Sequence, residues 1–415
     1  MNKKIAGLGI PIFFILPWVG FLLSLFDLKS KRSAFVYIAF AMLFGYAISF
    51  SDTSADSYRY AEAFARFDNT MNYDTLILMY RSGELRDLYR LLLFYFTSLF
   101  SSNPKLMYTY AGLIYGIFSY LNLRIFVNKV GNKWDKYVFV LALVFYTYAS
   151  LSNINGFRFW TGGMLFFYAT YNFIIEKKAR WIIGLIITPL FHYGFILIVP
   201  ILILYRFIHP VLYNNNKVKP LLLYIFLVAF IFSWVLSTNA INIGFLLQPG
   251  VLDGAAADRI EFMNSSDTAN LVETRAENSL FLSVQKYFTI GIKIYVLITV
   301  LLINKFFKKM KGDKLAYTNI FAFVLFFYAF SFIATSFPSG GRFMNIAHLF
   351  LFLLLAKVYV ISKTKSFQNL ILWSLPVFAF NIAFTNLMLP FLILTPTFWY
   401  GNFFWIITEG LDFYL

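Results

Sequence analysis

Arg158 and Arg342 each open a long apolar run, in Phe157-Arg158-Phe159-Trp160 and Ser339-Gly340-Gly341-Arg342-Phe343. His192 lies inside a third run, in Pro189-Leu190-Phe191-His192-Tyr193-Gly194, and Asp52, Asp56, Tyr58 and Arg59 follow a fourth. Together these residue types support one kind of chemistry. A guanidinium is a planar fork that matches phosphate oxygens and keeps its charge when partly dehydrated. Two forks from different helices would hold a diphosphate and stabilise the charge that grows on it as a bond to it breaks. A neighbouring imidazole titrates near neutral pH and would take the proton of an attacking hydroxyl. Such a site needs neither metal nor nucleotide. Each residue also has a plainer role. An arginine at a span end can reach headgroup phosphates. A core histidine can be held by a hydrogen bond, and Asp52 and Asp56, one helical turn apart, can cap a helix.

The elements that must position these residues are membrane helices. Hydrophobic residues make up 60% of the 415-residue chain and charged residues 13%, about half the charged share of a soluble domain. The apolar runs are long and continuous, which favours spanning helices over the alternation of a barrel. Charge is sorted along the chain. Six short connections hold 21 of the 35 basic residues: Lys29–Arg32, Arg124–Lys136, Lys177–Arg180, Arg206–Lys219, Lys305–Lys314 and Lys357–Lys365. With the only acids in or directly beside them, Asp27, Asp135, Glu176 and Asp313, they sum to +17, and the rest of the chain sums to −1, which gives the formal +16. Lys and Arg beside spans stay on the cytoplasmic side. The chain therefore reads as a polytopic membrane protein whose mixed-charge loops face outward. Its basicity follows from topology and not from nucleic-acid binding. The abundance of Phe, Tyr, Ile, Lys and Asn is what an AT-rich genome encodes.

The fold class predicted is all-α: a single bundle over 1–415 with about twelve crossings, at 5–26, 34–50, 106–127, 136–150, 158–175, 181–191, 192–208, 220–239, 286–304, 315–335, 342–361 and 368–389. Lys3 and Lys4 precede the first run, which reads as a retained span and not a cleaved leader. Two places depart from simple crossing. The apolar stretch Asp87–Phe100 is about 20 Å of helix, too short for a ~30 Å core, and reads as interfacial or re-entrant. Residues 181–208 would put Arg206 outside if they formed one helix. Two short helices meeting near His192 satisfy the charge rule, and a break at membrane depth suits a helix lining a cavity. The outer connections are then 51–105, with its interfacial helix, 151–157, 191–193, the large loop 240–285, and 336–341. The aromatic tail 391–415 is expected along the outer interface.

No Walker loop, dinucleotide glycine motif, HExxH or G-x-S-x-G elbow occurs. Zero Cys and three His exclude thiolate and His-rich metal sites. Carboxylate-held Mg²⁺ or Ca²⁺ at Asp52/Asp56 or among the acids of 253–277 stays open. Lys293 and His348 lie inside spans and His209 at a basic connection; all three read as structural.

In order along the chain, Asp52-x-x-x-Asp56-x-Tyr58, Arg158 at a span head, the Lys177-Lys178 turn, Phe191-His192 running to Pro200, and Arg342-Phe343 at a late span head resemble the EpsG-like branch of Wzy-type polysaccharide polymerases. The family's mid-chain arginine is followed by Gln and small residues, where this chain has Phe159-Trp160. The resemblance implies a GT-C-like multi-span glycosyltransferase in a bacterial cytoplasmic (inner) membrane, with no cofactor and no metal. Its substrate would be oligosaccharide repeat units on undecaprenyl diphosphate, joined at the outer face among membrane lipid. A chain-length regulator and a flippase would be its partners. Arg158 and Arg342 would then meet the diphosphate and His192 would activate the acceptor hydroxyl. Asp52, Asp56, Tyr58 and Arg59 would orient sugar, and 240–285 would cover the cavity. An O-antigen ligase would need the same donor site. A lipid-linked-sugar flippase would instead place its charges at mid-membrane, in pseudo-symmetric halves.

Overall fold

The structure, a computed structural model, describes residues 7–51, 56–66, 78, 87–214, 219–235, 280–309, 315–336 and 340–412. Asp52, most of the loop 240–285 and the acids of 253–277 lie outside the described residues. Among those described the fold is all-helical, with one isolated bridge between Ile48 and Leu394. In chain order the helices are α1 Gly9–Ile15, α2 Pro17–Ser24, α3 Lys31–Tyr46, α4 Asp56–Ala65, α5 Leu88–Ser98, α6 Pro104–Val130, α7 Lys136–Tyr148, α8 Phe157–Thr170 and α9 Ile182–Phe191. They continue as α10 Ile198–Asn214, α11 Lys219–Val235, α12 Leu280–Lys309, α13 Leu315–Ala334, α14 Arg342–Ser362, α15 Lys365–Ala383, α16 Leu389–Ile393, α17 Thr397–Tyr400 and α18 Phe403–Asp412. Among the described residues five segments are long and apolar enough to cross a membrane: Pro104–Val130, Lys136–Ile175, Val284–Lys308, Arg342–Ser362 and Lys365–Ile393. The second of these is α7 and α8 together, joined by the 3₁₀ turn Leu151–Gly156.

The first expected crossing, 5–26, is not one. The chain breaks at Leu16, before Pro17, and folds back as two short helices. Gly9 packs against the Gly20 carbonyl, and Gly7 lies beside Arg32. The hairpin enters and leaves at the same end, because Tyr120 donates to the Leu28 carbonyl at 2.6 Å next to the basic connection. Proline cannot donate to the preceding turn, and unbroken hydropathy hides such a reversal. The short helix at 88–98 is as predicted: eleven residues, about 16 Å. The predicted break in 181–208 falls on His192 itself, whose backbone is extended at φ −154°, ψ 123°. The tail returns through α17 and α18, both short, to the far end of α3. There the Thr395 amide donates to the Ala47 carbonyl, and Tyr46 Oη donates to the Ile407 carbonyl at 2.8 Å. The Trp18 indole, at the hairpin's tip, donates to the Trp399 carbonyl at 3.0 Å.

Contacts sort the connections into two groups. At the basic end Lys129 pairs with Glu176 at 2.8 Å, Asp135 accepts from Tyr359 at 2.9 Å and faces Lys363, and Arg206 lies over Phe173. Among the described residues those with positive φ, Gly131, Lys177 and Lys363, all close helices here, as such residues do at helix C-termini. The other end gathers Ala47–Ser49, α4, the turn Leu151–Gly156, the break at His192 and the start of α14.

α3 and α6 touch backbone to backbone. A Cβ on Gly45 would lie 2.1 Å from the Tyr108 carbonyl oxygen, and one on Gly112 2.3 Å from that of Ala41. Small residues permit this approach between membrane helices, where tight packing replaces the hydrophobic drive. Along α6, Tyr108, Tyr115 and Ser119 donate to the carbonyls of Asn155, Ser150 and Ala149 at 3.2, 2.7 and 2.8 Å. The turn that presents Arg158 is thus satisfied from within, as burial requires. Replacing Gly112 by Val is expected to destabilise the protein by about 3 kcal/mol or more, read by unfolding in micelles. Ala at Gly291, which faces open space, is expected to leave the midpoint unchanged or raise it slightly.

Candidate active site

Arg158 is the second residue of α8, directly after the locked turn. Its Nη1 meets Asp87 Oδ2 at 2.5 Å, and its Nε donates to Tyr60 Oη at 2.8 Å. Its guanidinium carbon lies 5.0 Å from the centre of the Tyr60 ring. Asp87, 5% exposed at the head of α5, uses its other oxygen, Oδ1, to accept the Tyr193 amide at 3.1 Å. One carboxylate therefore joins the residue that leads into α5, the head of α8 and the broken helix.

Phe159 gathers the other two predicted residues. The His192 ring stands edge-on to it at 5.2 Å between centroids, and the Arg342 guanidinium lies over it at 5.4 Å. Phe195 stacks on it at 5.2 Å. A Cβ on Gly162 would come within 3.0 Å of Phe191 and Phe195, so that glycine lets the broken helix seat on α8. Arg158, His192 and Arg342 thus meet at one end of the bundle, and all three are half-buried.

His192 Nδ1 accepts the Gly194 amide at 3.1 Å. A neutral imidazole that accepts at Nδ1 carries its proton on Nε2. Nε2 is then a donor, and receiving a proton there requires the ring to exchange tautomers and give up the Gly194 bond.

The early motif lies beside this cluster. The Ser57 amide donates to Asn155 Oδ1 at 3.1 Å, which seats α4 on the turn. The Asp56 carboxylate and the Trp160 indole both border Gly156, and Trp160 stands edge-on to Phe159 at 5.2 Å. Tyr58 is half-buried and Arg59 exposed, while the buried face of α4 carries Ser57, Tyr60, Ala61 and Phe64. Sequence reasoning named Tyr58 and missed Tyr60, Asp87 and Trp160. Asp87 had a readable signal, because it directly precedes an apolar stretch whose burial would demand a partner for it. Arg66 forms an exposed pair with Glu62, at 2.6 Å.

The mid-span residues are satisfied. Lys293 donates to the Ser233 carbonyl at 2.8 Å and lies over Trp234. His348 Nδ1 meets Tyr328 Oη at 2.6 Å in the core. Among the described residues no three His, Asp or Glu come together as metal ligands would.

Comparison with known proteins finds no matching family model, no matching curated protein and no matching solved structure.

Removing one partner of a buried pair strands the other charge, at a cost of about 3–5 kcal/mol. Asp87→Ala is expected to lower stability by that amount, and Asp87→Ala with Arg158→Met to recover part of it, in a double-mutant cycle read by denaturant unfolding.

Proposed function

We propose that this chain is a membrane glycosyltransferase of the polysaccharide-polymerase kind. It joins oligosaccharide repeat units carried on undecaprenyl diphosphate, at the face of a bacterial cytoplasmic membrane turned away from the cytosol. The observation that carries the reading is that His192 and Arg342 both stand on Phe159, while the neighbouring Arg158 is tied through Asp87 to the amide of Tyr193, at the end opposite the basic connections. That is the face where a lipid-linked donor must be used without nucleoside triphosphate. In this reading eleven crossings, with the hairpin 7–28 as a re-entrant element, leave the basic connections in the cytosol and the C-terminal tail outside. The architecture is of the GT-C-like kind.

The chemistry follows from the groups present. The acceptor hydroxyl attacks the anomeric carbon, the bond from that carbon to the diphosphate oxygen breaks, and the electron pair leaves with the diphosphate. Arg342 neutralises that growing charge. Arg158 already has two of its nitrogens committed to Asp87 and Tyr60. It adds field and fixes the wall of the site. His192 donates its Nε2 hydrogen to a diphosphate oxygen, a role that suits its tautomer better than that of base. The half-buried Asp56 takes the hydroxyl proton, and Trp160 beside it offers an aromatic face for a sugar ring. Tyr58 and Arg59 border the acceptor path.

Purified protein given a matching lipid-linked repeat unit is expected to make a ladder of chain lengths. Arg342→Ala is expected to cut turnover by about 10²–10³, the effect of losing one donor to a developing anion. Asp56→Asn should slow it while leaving donor binding intact. Full-length chains at normal rate from folded Arg342→Ala protein would overturn the assignment. A single transfer per acceptor in place of a ladder would indicate a ligase.

A further inference from the structure

The basic end holds a second site that the proposed reaction does not use. A cavity of about 290 Å³ opens between α6 and the end of α8, lined by Arg124, Asn128, Lys129, Asn172 and Lys178, with Leu121 and Ile125 as its apolar wall. α8 does not end regularly here. It widens into a π turn over Tyr171–Ile175, a distortion often found at functional sites. The chain then reverses through Lys177, at φ 57°, a conformation that non-glycine residues rarely adopt.

The charges in the cavity are unbalanced. Glu176 is spoken for: burial opposes its ionisation, but hydrogen bonds from Lys129 at 2.8 Å and Tyr171 at 2.7 Å hold its carboxyl below the usual range. Lys357 is near enough to feel both Lys129 and Glu176. Arg124 and Lys178 are exposed, and no described acid lies within ion-pair distance of either. Lys178 Nζ is steered toward the cavity by Asn172 Oδ1 at 3.3 Å. Three cations thus line the cavity against one carboxylate, which Lys129 already neutralises.

The surroundings belong to a membrane surface. Trp181 stands edge-on to Tyr168, a lining residue, at 4.7 Å, an aromatic pair of the kind that marks the headgroup level. Beyond Trp181, α9 turns exposed Ile183, Ile186 and Ile187 outward, a track suited to acyl chains. Basic pockets between membrane helices on the cytoplasmic side hold anionic headgroups.

We propose that this cavity binds the phosphate of an anionic phospholipid, of the phosphatidylglycerol type, from the leaflet at the basic end. The phosphate lies between Arg124 and Lys178, the amide of Asn128 meets a headgroup hydroxyl, and the acyl chains lie along α9, while Asn172, held by the Tyr168 carbonyl, positions Lys178. The proposal stands whether or not the catalytic reading does.

The test uses the full chain in detergent, titrated with phosphatidylglycerol or phosphatidylcholine and read by native mass spectrometry. One phosphatidylglycerol per chain is expected to be retained where phosphatidylcholine is not. Arg124→Gln with Lys178→Gln is expected to weaken retention roughly 25-fold, at about fivefold per cation, with an unchanged elution profile because both side chains are exposed. If the double variant does not fold, Lys178→Gln alone makes the comparison, at about fivefold. Soluble glycerol phosphate or inorganic phosphate should not displace the lipid. Equal retention by wild type and variants, or no preference between the two lipids, would overturn the proposal. Displacement by the soluble anions at equal concentration would also overturn it, by showing a small-anion site.

Discussion

The Asp87 carboxylate is the group on which the Arg158 end of the bundle depends. It is nearly inaccessible to water, and its two oxygens face different segments, Arg158 on one side and the Tyr193 amide on the other. In a low-dielectric setting neither charge would be tolerated alone. The amide of Tyr193 follows the extended residue that interrupts the helix pair, so it has lost its helical acceptor. One side chain therefore neutralises a buried cation and repairs an interrupted backbone at the same time. Because it leads into α5, it also fixes that helix to the bundle's end.

The same requirement explains the tyrosines. The passage from the end of α7 through the turn Leu151–Gly156 leaves carbonyls without helical partners, and the stripe Tyr108, Tyr115, Ser119 on α6 supplies hydroxyls to those of Asn155, Ser150 and Ala149. Asn153 adds donors to Tyr115 and to the Tyr148 carbonyl, each at 3.2 Å. Composition suggested genome bias for the abundance of Tyr. At these positions the phenol performs a definite task, supplying a long-reach donor where water is excluded.

How much of this was legible in the chain differs by element. The break at His192 was, because charge sorting and the cluster Pro189, His192, Gly194, Pro200 require a reversal there. The short helix 88–98 was, because its length falls below the membrane's thickness. The hairpin at 7–28 was not. Hydropathy measures how apolar a segment is and not which way it runs, and Pro17 alone does not say whether a helix kinks or folds back. At the site, Arg158, His192 and Arg342 stood out because cations within apolar runs need a reason. Tyr60 did not, because it sits in a segment rich in acids and tyrosines where partners are set only by the tertiary fold; Asp87 was marked by the apolar stretch that follows it, but not its partner. The proton's place on His192 depends on a local bond to Gly194 that spacing cannot show.

The seam between α3 and α6 has a mechanical corollary. Two backbones in direct contact, keyed by Gly45 and Gly112, leave no compressible side chains between them, so this side behaves as a stiff wall. The flank of α9 is built otherwise: it is one short helix with a proline inside it, and it shows much of its apolar surface. Stiffness is thus unevenly shared around the bundle, and it is greatest along the glycine seam.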